Sequence, residues 1–487
     1  MKQCLRNRIA SIAVQMNEIE TTRAQLLLTL EELDITLKTL QMEYVTIVNQ
    51  TSPIASLPNE VLADIFATLH ASNEEFFTRL HASDEEFFTE APCSEIIVSH
   101  VTTHWRQVAL GTPKLWTRIF RTSNQTLLEK IKTYLERSKI SPIDLRVVIG
   151  DMDDTDSYTE LIRPHMARCR HLSIDASSSG QLFVQLSLLA GQRAPFLRSL
   201  DMLCRDPFGH DVASDVLSGG APLLTALRVT GVAVQRCLPV HALQSVTTAS
   251  FPGFICTPLG AYALHHTPNL SHLRLEVWGL SDIISPPLLP IILAHLVFLS
   301  IHVNMMTGGD ISAFFQALSA PCLETLFIRD VVGEDFSESW SPAKFPALHY
   351  LVINSDYIDA SAIINLAVCC PYITHLNYAG IRLSNLEPIL AASAFDSGVS
   401  TPTYWPNLQT LSLPNYQKGE EVLQMVLSRK IAGGRLQRLR VGMEDSSVMD
   451  RDIWQTVKNH AEVVGIYGDY FQEVLPSSWN RWGPQDR

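Results

Sequence analysis

The chain has 487 residues, 46% apolar and 18% charged, which is long enough for a large core or an extended array and too apolar for a disordered polymer. Its net charge of -13, with no run of Lys or Arg, excludes a generic nucleic-acid binder, because neutralising phosphates needs clustered cations. Nine scattered cysteines without a C-x-x-C pair fit reduced thiols in the cytoplasm or nucleus, not a disulfide framework or a zinc site.

Residues 1–50 predict one long helix. Ile9, Met16, Leu30, Leu37 and Tyr44 fall seven apart, with Arg23 as the exception, and Leu5, Ile12, Ile19, Leu26, Leu33, Leu40 and Ile47 form a second series. Together they make a coiled-coil-like a/d seam over about six heptads, uninterrupted by Pro or Gly before Pro53. The periodicity leaves its partner open: another chain through self-association, or the following segments of the same chain. Arg23 in the seam costs stability and can set register. The early apolar run "IASIAV" is too short for a signal peptide.

Residues 51–122 predict a small all-helical module. In "SLPNEVLADIFATL", Pro58 suits a first helical turn and Ser56 a cap, while Leu62, Ile65, Phe66 and Leu69 share one apolar face. In "IIVSHVTTHWRQVALGTPKLWTRI", Val98, Val101, Trp105 and Leu110 form a second. Between them an eleven-residue phrase occurs twice, "HASNEEFFTRL" and "HASDEEFFTEA". It sits in a connection, where insertions disturb little buried backbone. If helical, its Phe76-Phe77 and Phe87-Phe88 would share a face and offer a second contact surface; a tandem copy that the fold simply carries is the plainer reading.

The residues "LPNEVLADIF…VSHVTTHWRQVA…PKLW" resemble an F-box, over about 70 positions. The gap between Leu69 and Val98 is longer than that pattern has, and His100 to His104 replace its commoner basic residues. The resemblance implies a helical bundle that docks onto the Skp-type adaptor of a cullin–RING ubiquitin ligase. Its adaptor-binding residues would be Leu57, Pro58, Leu62, Ile65, Phe66, Leu69, Val98, Val101 and Trp105. The apolar faces independently favour a helix-in-groove partner, or packing on the heptad helix or the first repeats.

Residues 123–150 predict a linking helix and first strand. From 151 to 475 a phrase recurs: "APFLRSLDM", "APLLTALRV", "TPNLSHLRL", "APCLETLFI", "FPALHYLVI", "CPYITHLNY", "WPNLQTLSL". Its second anchor falls at Leu172, Leu200, Leu227, Leu273, Leu299, Leu326, Leu351, Leu376, Leu411 and Leu439, mostly 25 to 28 residues apart, with a degenerate copy at "LQSVTTASF". This is the signature of leucine-rich repeats, so the fold class is an α/β solenoid of parallel strands, with Pro ending the helix before each strand. The consensus Asn after the strand is mostly missing, which leaves the repeat subclass open. Ile283 to Gly309 carries no charge, but its prolines and its register with the repeat argue against a membrane span. Residues 476–487, with Trp479 and Trp482, form a tail that caps the array.

In such a strand the residue between the last two anchors faces the concave side. The candidate client-binding residues are therefore Asp201, Arg228, Arg274, Phe327, Asn377, Ser412 and Arg440. Arg228 and Arg274 could grip an acidic or phosphorylated segment; solvated strand positions are the plainer reading.

No nucleotide, hydrolase or metalloprotease motif occurs. "DMDDTD" at Asp151 lacks the Gly and Glu of a calcium loop, His265, His266 and His272 straddle a helix end and a strand, and Cys93 has no His partner nearby in sequence. No catalytic or metal residue and no cofactor is assigned. The expectation is a non-catalytic substrate receptor of an SCF-type ligase, in the cytoplasm or nucleus, holding an unknown protein client by its repeats. A ligase-independent interaction scaffold is the first alternative, and an enzyme of unrecognised type a remote one.

Overall fold

The computed structural model describes residues 2–72, 93–121, 128–149, 160–178, 180–182, 186, 190–204, 216–230, 238–254, 258–277, 289–303, 311–331, 344–380, 383–386, 389, 404–414, 419–431, 436–442 and 451–466. The duplicated phrase from Asn73 onward, the "DMDDTD" stretch and the C-terminal tail lie outside them. The chain divides into two compact units, Met1–Leu115 and Trp116–Arg481.

The first unit is helical. Helix α1 spans Lys2–Thr51, and Pro53 then opens a short 3-10 turn, Pro53–Ser56. Helix α2 spans Asn59–Ser72, with Pro58 just before it accepting the first helical bond from Leu62 N–H at 3.1 Å. Ser56 does not cap α2. Its hydroxyl turns back to the Pro53 carbonyl at 2.7 Å. The second apolar face proves to be two helices, α3 (Ser94–Val101) and α4 (Thr103–Gly111). Thr102 breaks them apart because it is extended, and its Oγ1 accepts the Trp105 N–H at 3.0 Å as the cap of α4.

The second unit is an α/β solenoid. Its strands are β1 Arg118–Arg121, β2 Ile143–Ile149, β3 Cys169–Ala176, β4 Ser199–Cys204, β5 Ala226–Thr230, β6 Thr248–Phe254, β7 His272–Val277, β8 Ile291–Ile292, β9 Phe298–Val303, β10 Leu318–Ser319, β11 Thr325–Arg329, β12 Tyr350–Asn354, β13 His375–Tyr378, β14 Thr410–Leu413, β15 Arg438–Gly442 and β16 Glu462–Ile466. Fourteen of them form one parallel sheet in chain order, and β8 and β10 pair separately. The charge-free stretch around Ile291 thus supplies β8 and β9, and no helix among the described residues is long and apolar enough to cross a membrane. The sheet starts earlier than the repeats indicate: β1 follows the "PKLW" of the F-box-like residues, inside the 51–122 segment expected to be all-helical, and pairs with β2. The degenerate copy is β6, where Ala249 stands in the leucine row.

That row aligns the anchors Leu172, Leu200, Leu227, Leu273, Leu299, Leu326, Leu351, Leu376, Leu411 and Leu439, each at most 1% exposed. No single strand could bury such a leucine alone, so each repeat needs its neighbours. The Pro of each phrase occupies a turn instead of ending a helix directly. In Ala194–Leu197, Ala221–Leu224, Thr267–Leu270, Ala320–Leu323, Phe345–Leu348 and Trp405–Leu408 the fourth residue's N–H returns to the first carbonyl at 3.1–3.2 Å, with Pro second, where its fixed φ fits. The described helices of this unit are short: besides a single turn at Val240–Leu243, they are α5 Leu128–Arg137, α6 Pro258–His265, α7 Ser312–Ala317, α8 Ala360–Cys369, α9 Gly419–Ile431 and α10 Arg451–Lys458.

Candidate protein-interaction surfaces

The helical module presents two apolar stripes on α2, one turn-step apart. Leu62 and Phe66 point inward and are buried with Val98 of α3. Val61, Ile65 and Leu69 point outward and stay 42–44% exposed, an i, i+4, i+8 row. The sequence reading put Leu62, Ile65, Phe66 and Leu69 on one docking face and passed over Val61. The structure separates them, because one helix face can pack on α3 and α4 only while its neighbour turns away. Leu62, Phe66 and Val98 are therefore core. Trp105 is half-buried with its ring 4.9 Å from Phe66, so it supports that core. Ile65, Leu69, Val101 and Pro58 are exposed, and Leu57 is half-buried beside them. Ile97, 48% exposed, adds to the outward surface and was missed because no periodic pattern singled it out.

Polar contacts fix the module's junctions. Arg106 Nε donates to the Ser99 carbonyl at 2.9 Å, tying α4 to α3. His70 Nδ1 lies 3.5 Å from Glu95 Oε2 and 3.4 Å from Ser94 Oγ, all three residues buried. The end of α2, where the duplicated phrase begins, and the start of α3 are thus held together.

On the solenoid, the residues between the strand anchors form a single row in register: Arg146, Ser173, Asp201, Arg228, Ser250, Arg274, Ser300, Phe327, Val352, Asn377, Ser412 and Arg440. All seven predicted client residues share it. Their exposure differs from that of a solvated strand face, however. Arg228, Phe327, Asn377 and Ser412 are buried, and Asp201, Arg274 and Arg440 are half-buried. Row spacing follows from the pleat, but depth within the row depends on neighbours that a period does not reveal.

The row carries two environments. Near its start, Arg146, Asp175, Asp201 and Arg228 face one another from β2 to β5. Asp201 accepts a hydrogen bond from Ser173 Oγ at 3.1 Å, and its other oxygen lies 3.9 Å from Arg228 Nε. Burial pushes the Asp175 carboxyl up to about 6, against the pull of Arg146, while burial also lowers the Arg146 guanidinium. Two arginines and two aspartates cancel, so Arg228 has no surplus charge to offer an acidic segment.

Towards the other end the face is aromatic and basic. The rings of Tyr350 and His375 stack at 4.2 Å, and Tyr350 is 44% exposed. Burial and then the nearby Arg440, His349 and Arg438 hold the His375 imidazole below its usual range. Next to this stack Asn377 is 5% exposed, and neither its amide oxygen nor its amide nitrogen has a hydrogen-bond partner among the described residues. Leaving such groups unpaired costs about 1–3 kcal/mol each, and both atoms lie beneath the surface that the stack presents.

Among the described residues no three His, Cys, Asp or Glu side chains cluster to hold a metal ion. Buried Cys169 and Cys370 have thiols pushed far above the ordinary range by desolvation, which keeps them unreactive.

No family model matches this chain, and no curated relative does. Among solved structures it is similar to an internalin from Listeria monocytogenes, at 12% identity over 74% of this chain and 89% of that one, with a TM-score of 0.30.

Proposed function

We propose that this chain is a protein-interaction scaffold, in which a leucine-rich solenoid receives a protein client and the helical module docks a second protein. The observation that carries the reading is the split of α2: Leu62 and Phe66 complete a core, and the adjacent Val61, Ile65 and Leu69 row is left over, apolar and exposed. On the solenoid the corresponding feature is the stack of Tyr350 and His375, an aromatic platform whose Tyr350 ring is exposed.

A finer reading makes the second protein a Skp-type adaptor and the scaffold a substrate receptor of an SCF-type cullin–RING ligase, working in the cytoplasm or nucleus. Two features support it: the F-box-like residues, and the outward placement of Ile65, Leu69 and Val101 on the module that carries them. The chain would then perform no bond chemistry and act by proximity, holding the client near a ubiquitin-loaded enzyme. Co-expression of the full chain with the adaptor, followed by gel filtration, tests this. A complex that Ile65→Glu abolishes supports the receptor. Failure of the folded wild-type chain to form any complex leaves the ligase-independent scaffold.

A further inference from the structure

Helix α1 presents its whole seam to solvent. Leu5, Ile9, Ile12, Met16, Ile19, Leu26, Leu30, Leu33, Leu37, Leu40, Tyr44 and Ile47 are each 48–70% exposed. A helix of this length, about 75 Å at 1.5 Å per residue, draws its stability in water from covering such a stripe. We propose that α1 pairs with α1 of a second copy of this chain as an antiparallel two-stranded coiled coil.

The pattern is complementary to its own reverse. Antiparallel pairing in one register sets Tyr44 against Leu5, Leu37 against Ile12, Leu30 against Ile19, Met16 against Leu33 and Ile9 against Leu40 of the other copy. Nearly the full helix overlaps. Twelve half-exposed apolar side chains offer on the order of 1,000 Å² per copy, against the roughly 800 Å² per partner of a standard stable interface.

Charge selects the direction. Arg6 and Arg8 precede any acid, whereas Glu31, Glu32, Asp34 and Glu43 crowd the other half around a single Lys38. Antiparallel pairing brings these unlike ends together and sets Arg8 beside Glu43, both at flanking positions. Parallel pairing would instead stack the basic ends and oppose two Arg23 guanidiniums in one seam layer, at the cost of desolvating like charges. In the antiparallel register each Arg23 meets Leu26.

The flank tolerates a dry contact, although Thr21, Thr39 and Thr46 elsewhere on the helix bond back in the same way. Thr22, Thr29 and Thr36 occupy its middle, and each turns its hydroxyl back to its own helix: to the Glu18, Gln25 and Glu32 carbonyls at 2.8, 3.0 and 2.8 Å. No hydroxyl donor of these three is left to solvate, and their methyl groups remain for the partner. The dimer would hold two helical modules at opposite ends of one rod, making the scaffold bivalent towards partners that carry two sites.

Two measurements on the full chain decide this. Light scattering after gel filtration should give the mass of two copies, and Leu26→Lys with Leu30→Lys should weaken dimerisation at least tenfold with the circular dichroism of the solenoid retained. A monomeric wild type, or a mass of four or more copies drawing in the outer Leu28, Ile35 and Met42, overturns the two-chain pairing. For direction, Leu5→Cys and Tyr44→Cys are introduced separately in a Cys4→Ser background, mixed and mildly oxidised. Cross-links between position 5 and position 44 are expected. Links of 5 to 5 and 44 to 44 overturn the antiparallel arrangement.

Discussion

The rings of Phe66 and Trp105 lie 4.9 Å apart with their planes at 54°, Phe66 almost fully buried and Trp105 half-buried. This contact joins α2 to α4 and places the core of the helical module directly behind the outward row. Trp105→Ala removes the ring and should cost about 2–3 kcal/mol of module stability, below the full-burial range because Trp105 is only partly covered. Ile65→Glu should leave stability within about 0.5 kcal/mol, because the site is exposed. Urea denaturation followed by helical circular dichroism separates the two, and equal losses would mean that Ile65 belongs to the core.

With His70, Ser94 and Glu95 holding the junction, one copy of the duplicated phrase is expected to be dispensable. Deleting Asn73 to Ser83 removes one period and leaves both sides of that junction in place. On the receptor reading, adaptor affinity is expected to change less than about threefold, under 1 kcal/mol. Titration calorimetry with the adaptor checks it, and a larger loss in a folded protein would place the phrase in the docking surface.

Arg429 on α9 is 2% exposed and donates its terminal nitrogens to the Tyr404 carbonyl, at 2.9 Å, and to the Trp405 carbonyl. Trp405 has a φ of +44°, unusual for a bulky residue, at the start of its repeat's turn. The guanidinium donates to the Tyr404 carbonyl and adds a second bond to the Trp405 carbonyl, which already accepts the Leu408 N–H of the turn. Arg429→Ala should destabilise the C-terminal repeats by about 2–4 kcal/mol. Hydrogen exchange should accelerate around 404–431; unchanged protection there would show that the turn stands without the clamp.

Asp175 gives a pH dependence with a definite sign. Its carboxyl is raised from 3.8 to about 6 in the folded protein, so between these values the folded state binds more protons than the unfolded one. Its contribution to stability is therefore full at low pH and is lost as pH rises from about 4 to about 6, by about 1–3 kcal/mol at most. Asp175→Asn should remove that part of the slope. A stability–pH profile identical in the wild type and the variant would contradict the assignment.

At Asn377 a substitution should act on stability alone. Asn377→Leu replaces two unpaired polar groups with an apolar side chain of similar size, so stability should stay level or rise by up to about 2 kcal/mol. Client capture should stay unchanged, because neither amide atom reaches the surface. A marked destabilisation would mean that the amide is satisfied in the folded chain.

The solenoid was legible because its anchors recur with the repeat: Leu172 to Leu439 fall in one row, and even the degenerate copy at Thr248–Phe254 is a strand. Strand β1 was not legible, since "RIFR" has no repeat phrase before it and follows directly on the Leu-Trp that carries the F-box resemblance. Val61, Ile65 and Leu69 are as apolar as Leu62 and Phe66, so hydropathy could not say which stripe faces inward; only the position of α3 and α4 decides it. Row membership of Asn377 and Arg228 followed from the strand's period of two, but their burial and the Asp201 neighbour depend on side chains from adjacent repeats, about 25 residues away in sequence.

The central claim is that two separate faces hold two different proteins. Quantitative affinity purification of three tagged full-length chains tests it most directly: the wild type, Ile65→Glu with Leu69→Glu, and Tyr350→Ala. The account predicts that the first variant loses one group of partners, the Skp-type adaptor among them on the receptor reading, and keeps the rest. The second should show the reverse, losing the client and keeping the proteins held by the helical module. Variants that stay folded and both retain every wild-type partner, or both lose the same ones, would contradict it.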